Sequence, residues 1–438
     1  MIENYKSLRV LVNTPIYGGS YTTAQYVFNA LNQLNICSKM TDNSVAEPLL
    51  KTLINKQITN QNTEILASIL SNILWHEICS FKPHIVFFVA QSPFTDRLIA
   101  ELKKLGIITI YWFVEDFRRF TYWKAIQNNF DYFYFIQKRT DGVSPLMWRS
   151  EIAATVDGGT PSVRTNGVSP FNQLIPTAAC KQTHIPLKLT PEEKNFYGSD
   201  ISFMGAAYIN RVNFFKYFNK NNFKLWGTGW TETELKNYNI PLKNQRITPE
   251  QSNKIYQSSK ININLHSSNT DGFDNIGDFV NPRTFEIAAC GGFQLVDDRP
   301  ALRELFEADK EIVYFSSVNE AIDKANFYLK NDDLRDKIAK AAQQKVLKYH
   351  TYDKRVDLML QNAMENSPSI LETIKSETDV VHNFLKIAND KELEKLIYSI
   401  QPALRTSYNA VMNKLKNINN TLKKQEALAL LLETFLQK

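Results

Sequence analysis

The densest run of chemistry-bearing residues is Gly277-Asp278-Phe279-Val280-Asn281-Pro282-Arg283-Thr284-Phe285-Glu286-Ile287-Ala288-Ala289-Cys290-Gly291-Gly292. Asn281 is a good helix N-cap and Pro282 a good first helical residue, so a helix is expected to open there. Its free N–H groups would face the preceding loop, where a phosphate is attracted. Arg283 adds a positive charge in the first turn, with Thr284 beside it. Glu286 lies one turn in, too far along for capping. A carboxylate there can accept two hydrogen bonds from a vicinal diol such as a ribose. Gly291-Gly292 ends the helix before an expected strand at Phe293–Val296.

Other groups gather around this run in the C-terminal half. Gly205 closes an expected strand at Asp200–Met204 and lets the backbone approach a diphosphate closely. Arg211, near the next helix start, could neutralise that diphosphate, or be a plain surface arginine. Lys260 precedes the strand Ile261–Leu265 and is a second phosphate candidate, against a solvated lysine at a strand entry. His266 follows the same strand at its C-terminal end, where α/β sheets place ligands; the alternative is a satisfied core histidine. Arg246 and Ile247 precede a helix at Pro249. In the N-terminal half, Glu115-Asp116 follow the strand Ile107–Phe113. A carboxylate there could hold an acceptor hydroxyl or act as a base; otherwise it caps the loop. Tyr17-Gly18-Gly19 follows the first strand and is a candidate acceptor loop. It is not G-x-G-x-x-G, and no acidic residue about 20 positions on completes a dinucleotide fingerprint.

The elements that must position these groups alternate. Strands are expected at Leu8–Asn13, Ile85–Ala90, Ile107–Phe113 and Asp131–Ile136, with helices at Thr22–Leu34, Glu64–Ser80 and Thr95–Leu105. A second series follows from Pro191, ending in helices at Leu302–Phe306, Val318–Leu329 and Asp332–Tyr349. Strand–helix alternation argues for parallel sheets. The expected division is an acceptor domain at 1–185, a donor domain at 186–360 and a helical extension at 366–438, which either caps the body or binds a partner. Residues 140–173 contain no lysine and are rich in Ser, Thr, Gly, Val and Pro, and are read as a loop or insertion.

Length and composition agree. A chain of 438 residues is too long for one ordinary core. A net charge of +6 without basic runs gives no nucleic-acid footprint. Cys37, Cys79, Cys180 and Cys290 form no C-x-x-C pair and suit a reducing cytoplasm. No apolar run approaches a membrane span of about 20 residues, so any membrane contact would be peripheral. There is no Walker loop, G-x-S-x-G elbow or H-E-x-x-H helix, and Asp297-Asp298 reads as a strand end rather than a metal motif.

Asp278 and Glu286 stand eight positions apart. The stretch resembles the donor-site signature of retaining glycosyltransferases of the two-Rossmann (GT-B) type, Glu-x7-Glu followed by an A-C-G turn. The wider pattern resembles the CgeB-like branch, through Ser199–Gly205, Gly227-Thr228-Gly229-Trp230, Tyr256–His266, Arg283–Glu286, Ala289–Val296 and His350-Thr351-Tyr352. These pieces cover about 190–355; the N-terminal half matches mainly through Trp112–Asp116. The resemblance implies that Glu286 holds the nucleotide ribose, that Arg246 and Ile247 hold the base, and that Asp278 contacts the transferred sugar. Asp278 stands where the pattern has Glu, one methylene shorter. It also implies two Rossmann-like domains facing a cleft, retention at the anomeric carbon, and no metal or other cofactor. The expected activity is sugar transfer from a nucleoside-diphosphate sugar to a glycan or protein acceptor. A nucleotide-sugar epimerase, or a non-catalytic scaffold whose C-terminal helices bind a partner, are the alternatives.

Overall fold

Successive residues of the N-terminal strands send their side chains to opposite layers, as in a sheet covered on both faces. The computed structural model describes residues 8–55, 60–137, 171–218, 222–231, 239–242, 244–268, 272, 279–374, 376 and 391. The first unit runs β1 (Arg9–Asn13), α1 (Gly19–Gln33), β2 (Cys37–Met40), α2 (Glu47–Asn55), α3 (Asn60–Phe81), β3 (Ile85–Val89), α4 (Asp96–Lys104), β4 (Ile108–Phe113), α5 (Trp123–Ile126), β5 (Tyr132–Phe135) and β6 (Phe171–Leu174). Its strands form one parallel sheet in the order β2-β1-β3-β4-β5-β6. Val10, Val12, Phe87, Ile110, Trp112 and Tyr134 pack into one layer with α1. Leu11, Phe88, Tyr111, Phe113 and Phe133 pack into the other with α3 and α4.

The second unit runs α6 (Pro191–Tyr197), β7 (Ile201–Met204), α7 (Ile209–Phe215), β8 (Phe223–Trp226), α8 (Pro249–Ser258), β9 (Ile261–Asn264), α9 (Arg283–Ala289), β10 (Gln294–Asp297), α10 (Pro300–Leu305), β11 (Val313–Phe315), α11 (Val318–Leu329) and α12 (Asp332–Tyr349). Its parallel sheet has the order β11-β10-β9-β7-β8. Thr190 and Thr248 begin α6 and α8 with complete capping boxes.

The chain then returns to the first unit. In α13 (Tyr352–Asn366), Tyr352, Val356, Met359, Leu360 and Ala363 join the core beneath β1, β3, β4 and β5, and Ile370 and Ile374 extend it. The expected division at 360 falls inside this helix. Residues 171–173, expected in a loop, are instead strand: β6 pairs in parallel with β5, Tyr132 opposite Phe171 and Phe135 opposite Leu174. The rest of the expected insertion, and most of the helical extension, lie outside the described residues.

Candidate active site

Open parallel sheets bind ligands at the carboxyl ends of strands, where the strand order reverses. In the second sheet that place lies between β7 and β9. β9 alternates Ile261-Asn262-Ile263-Asn264, and all four residues are buried. Each buried amide needs partners. Asn264 Nδ2 donates to Thr284 Oγ1 (2.9 Å) and Gln294 Oε1 (3.0 Å). Its Oδ1 accepts from Asn281 Nδ2 (2.9 Å) and Arg283 Nη1 (3.3 Å). Asn264 thus fixes the opening of α9 and aims Arg283. Asn281 Oδ1 accepts from the Thr284 amide at 3.1 Å, so its side chain caps the helix as expected.

Two guanidinium groups meet over Gly205. A Cβ on Gly205 would lie 2.9 Å from Arg283 Nη2 and 3.2 Å from Arg211 Nη1. Both cations face the Phe203 ring, at 5.1 Å for Arg211 and 5.2 Å for Arg283. Arg211 is buried and spends its donors on the carbonyls of Leu265 and Ala206. Burial first, then the charge of Arg283, pull its pKa well down. Arg283 Nε is buried without a hydrogen-bond partner, and neither arginine has a carboxylate partner among the described residues. An arginine stays charged at any ordinary pH, so this pair calls for an anion.

Glu286 lies one helical turn beyond Arg283. Tyr256 Oη donates to its Oε2 at 3.4 Å, and His184 Nε2 stands 3.9 Å from its Oε1. The carboxylate keeps some exposure, with 16% of its side-chain surface open.

The first sheet reverses order between β1 and β3. There Gly18, at φ +92°, precedes α1, and nothing lies within 4 Å of a Cβ on Gly19. Tyr17 is exposed. Glu115 closes the same group: its Oε1 accepts from Gln91 Nε2 at 2.6 Å and its Oε2 from Tyr122 Oη at 3.4 Å. Burial pushes its carboxyl up to about 7, against smaller downward effects of Tyr122, Arg119 and Ser20. The units meet through Tyr208, whose ring lies between Arg119 of the first (4.9 Å) and Arg211 of the second (5.2 Å).

Five expected donor-site residues stand elsewhere or are otherwise engaged. Lys260 enters β9 at its amino end and pairs with Asp200 at 2.8 Å, across the strand length from Gly205. Gly291 and Gly292 follow the far end of α9. A Cβ on Gly292 would lie 2.8 Å from the Tyr256 carbonyl, so this glycine serves close packing of α9 against α8. His266 is the satisfied core histidine: Nδ1 meets Asp297 Oδ1 at 2.6 Å and Nε2 accepts the Asn281 amide at 3.0 Å. Burial lowers its pKa to about 4. Thr284 is buried within the Asn264 network. Of the acceptor-side candidates, Asp116 caps its own loop, accepting from the Arg118 amide (3.0 Å), the Arg118 guanidinium and Gln137 (3.1 Å). Arg246 is exposed ahead of α8, while Ile247 packs toward Trp226 and Tyr256. Asp278 lies outside the described residues.

Comparison with known proteins bears on this arrangement. The family described as glycosyl transferase-like matches residues 211–361. Spore protein CgeB of Bacillus subtilis (strain 168) is 31% identical over 170 residues, covering 36% of this chain and 51% of that protein. The chain carries a CgeB-like glycosyl transferase-like domain. It spans about half the length of the curated relative it matches. Among solved structures, sucrose-phosphate synthase from Thermosynechococcus elongatus aligns with a TM-score of 0.55 at 10% identity, over 82% of this chain and 98% of that one. A glycosyltransferase from Rickettsia africae ESF-5 aligns at 0.54 and 12%, over 83% and 99%. Anabaena HepE, solved with UDP and glucose, aligns at 0.51 and 8%, over 82% and 100%. These likenesses, with the two parallel sheets, place the chain in the two-Rossmann GT-B fold. Among the described residues no group of three His, Cys, Asp or Glu side chains is placed to hold a metal ion, and no helix is long and apolar enough to cross a membrane.

Among the site residues that escaped the sequence reading are Asn264, His184, Arg119 and Tyr208. Asn264 had a signal, an amide in a strand buried on both faces. The other three act across the cleft, through contacts that no local pattern encodes.

Proposed function

We propose that this protein transfers a sugar from a nucleoside-diphosphate sugar to a hydroxyl of a glycan or protein, with retention and without a metal ion. The observation that carries the reading is the pair of guanidinium groups of Arg211 and Arg283, without acid partners among the described residues, over Gly205 at the sheet's reversal point. Cations held there beforehand would take up the charge that develops as a diphosphate leaves, the role a metal would otherwise fill. Glu286, open to the cleft, suits a ribose diol. Glu115 suits the acceptor hydroxyl, with Tyr17, Gly18 and Gly19 around it, and closure across Arg119–Tyr208 would exclude water. Asp278 is kept as the contact to the transferred sugar, by resemblance. The glycosyl transferase-like match and HepE, solved with UDP and glucose, support a nucleotide sugar as partner.

A thermal-shift and mass-spectrometric screen of UDP-, GDP-, dTDP- and CMP-sugars tests this, using wild type, Glu286→Ala and Arg283→Ala. One donor at about 100 times its Kd should stabilise the wild type by roughly 2.7 kcal/mol. It should be slowly hydrolysed without acceptor, and both effects should be lost in the variants. No stabilisation by any donor would refute a nucleotide-sugar site. A changed sugar still on its nucleotide would refute transfer in favour of epimerisation.

A further inference from the structure

We infer that His266 is a positioning residue for Arg283: its imidazole holds the Asn281 amide and, through Asn281 and Asn264, sets where that guanidinium stands over Gly205. The inference rests on the nucleotide-sugar reading above and gives a task to a buried histidine that this reading does not use.

The imidazole is held from both sides. Asp297 Oδ1 accepts from its Nδ1 at 2.6 Å and from the His266 amide at 2.8 Å. Asp297 Oδ2 accepts from Arg299 Nε at 3.0 Å. Burial opposes a charge on Asp297, but His266 and Arg299 outweigh it and hold the carboxyl well below the usual carboxylate range. An ionised carboxylate can only accept, so the proton of the ring belongs on Nδ1. Burial outweighs the pull of Asp297 and keeps the ring neutral. Nε2 is then a bare acceptor, and the Asn281 amide donates to it at 3.0 Å. Phe279 meets the ring edge-on at 5.3 Å, with Arg299 5.8 Å over the Phe279 ring.

Asn281 passes this position on. It is buried, so without Nε2 its amide would be a desolvated donor in need of a partner. Its side chain is spent on the next elements. Nδ2 donates to Asn264 Oδ1 at 2.9 Å, and Oδ1 accepts from the Thr284 amide at 3.1 Å and from Thr284 Oγ1 at 3.3 Å. Asn264 Oδ1 is also the oxygen that accepts from Arg283 Nη1 at 3.3 Å. Asn281 and Arg283 therefore share one carbonyl oxygen, and a shift of Asn281 carries that oxygen with it. Arg283 has little else to steady it, since its Nε is buried without a hydrogen-bond partner. The bonds run unbroken from Asp297, the last residue of β10, to a guanidinium proposed to meet the diphosphate.

Two variants separate this role from support of the core. His266→Asn keeps an N–H near Nδ1 for Asp297 and offers nothing to the Asn281 amide. His266→Gln puts a carbonyl oxygen near Nε2 and gives up the bond to Asp297. A bond to a buried charge is worth more than a neutral one, so the Gln variant should melt lower than the Asn variant. Positioning predicts the opposite order in binding. UDP, GDP and dTDP are titrated calorimetrically into wild type, both variants, Arg283→Ala and the two double variants. The tightest nucleotide should bind His266→Asn about tenfold more weakly, within the coupling expected inside one hydrogen-bond network. His266→Gln should recover most of that loss, and neither change should matter in the Arg283→Ala background. Wild-type affinity in His266→Asn, alongside weak binding by Arg283→Ala, overturns the inference and leaves the proposed function standing. Binding losses that follow the melting order, or that persist without Arg283, also overturn it. If wild type binds none of the three nucleotides, the proposed function falls and the inference with it. Should either variant fail to fold, histidine-labelled wild type gives a second reading by 15N NMR. His266 should carry its proton on Nδ1, and its bare Nε2 resonance should move on nucleotide saturation. A proton on Nε2, or an unmoved Nε2 resonance, overturns the inference.

Discussion

Two adjacent carboxylates follow β4, and their surroundings decide which of them can move a proton. Asp116 is consumed by its own loop. Glu115 is half-buried and oriented by Gln91 and Tyr122, and burial pushes its pKa up to about 7. An ordinary glutamate ionises near 4.5. Between these values the folded chain holds a proton that the unfolded chain has released, so this group's contribution to stability falls as pH rises and levels off above 7. Glu115→Gln should therefore melt higher than wild type at pH 8 and gain nothing at pH 4; equal melting at both would show that the carboxylate is not desolvated. If Glu115 accepts the acceptor's proton, the transfer rate should climb with a midpoint near 7, and the variant should lose about 10²–10⁴-fold. At this scale the sequence was legible in residue type more than in place. Lys260 was legible as misplaced, because it precedes its strand and parallel sheets put ligands at the other end. His266 and Thr284 were not, since only the fold shows that their polar atoms are already spent.

At the scale of elements, the glycine that follows β7 and the glycine that follows α9 do different work. At Gly205 an added methyl would press on guanidinium ends and on the Phe203 ring edge, at 2.9, 3.2 and 3.0 Å, and the guanidinium ends can move aside. Gly205→Ala should keep most of its stability while displacing both charges, so nucleotide binding should weaken on the order of tenfold or more. At Gly292 the methyl would meet the Tyr256 carbonyl at 2.8 Å, which is backbone of α8 and cannot yield locally. Gly292→Ala should lose about 1–3 kcal/mol of stability, as overpacking does, while the folded fraction binds normally. Melting curves beside titrations separate the two; a Gly292→Ala that melts like wild type and binds weakly would return this glycine to the site. The sequence gives these elements unevenly. The helices α11 and α12 stand where periodicity placed them, at Val318–Leu329 and Asp332–Tyr349. The strands β2, β6 and β11 were missed: β11 has only three residues, while β2 and β6, as long as the expected β7 and β8, lack their apolar runs. β2 is half-buried throughout, and β6 carries Asn and Gln, so neither offers a clear apolar run.

At the scale of the whole molecule the question is what makes two sheets one structure. Strand–helix alternation made two parallel units legible, but not the return of the chain, because a helix's apolar stripe names no partner. Here α13 lies against α1 under the first sheet, with Val356, Met359 and Leu360 fully buried. Tyr132 Oη meets Ser367 Oγ at 2.9 Å, and Arg355 ties the start of the helix to the Pro176 carbonyl at 3.0 Å. A residue late in the sequence thus belongs to the core of the first unit. Leu360→Ala leaves a cavity there and should cost about 2–5 kcal/mol. Phe327→Ala, on the half-exposed side of α11, should change stability by no more than about 0.5 kcal/mol. Denaturant unfolding can follow Trp112, beneath α13, and Trp226, in the second sheet, by 19F NMR of fluorotryptophan-labelled protein, in which the six tryptophans give separate signals assigned by replacing each residue. If α13 fastens the units together, both signals should shift to lower denaturant in Leu360→Ala. A shift at Trp112 alone would mean that the units unfold separately, with α13 serving only the first. No shift at either would mean that the helix covers the sheet without supporting it.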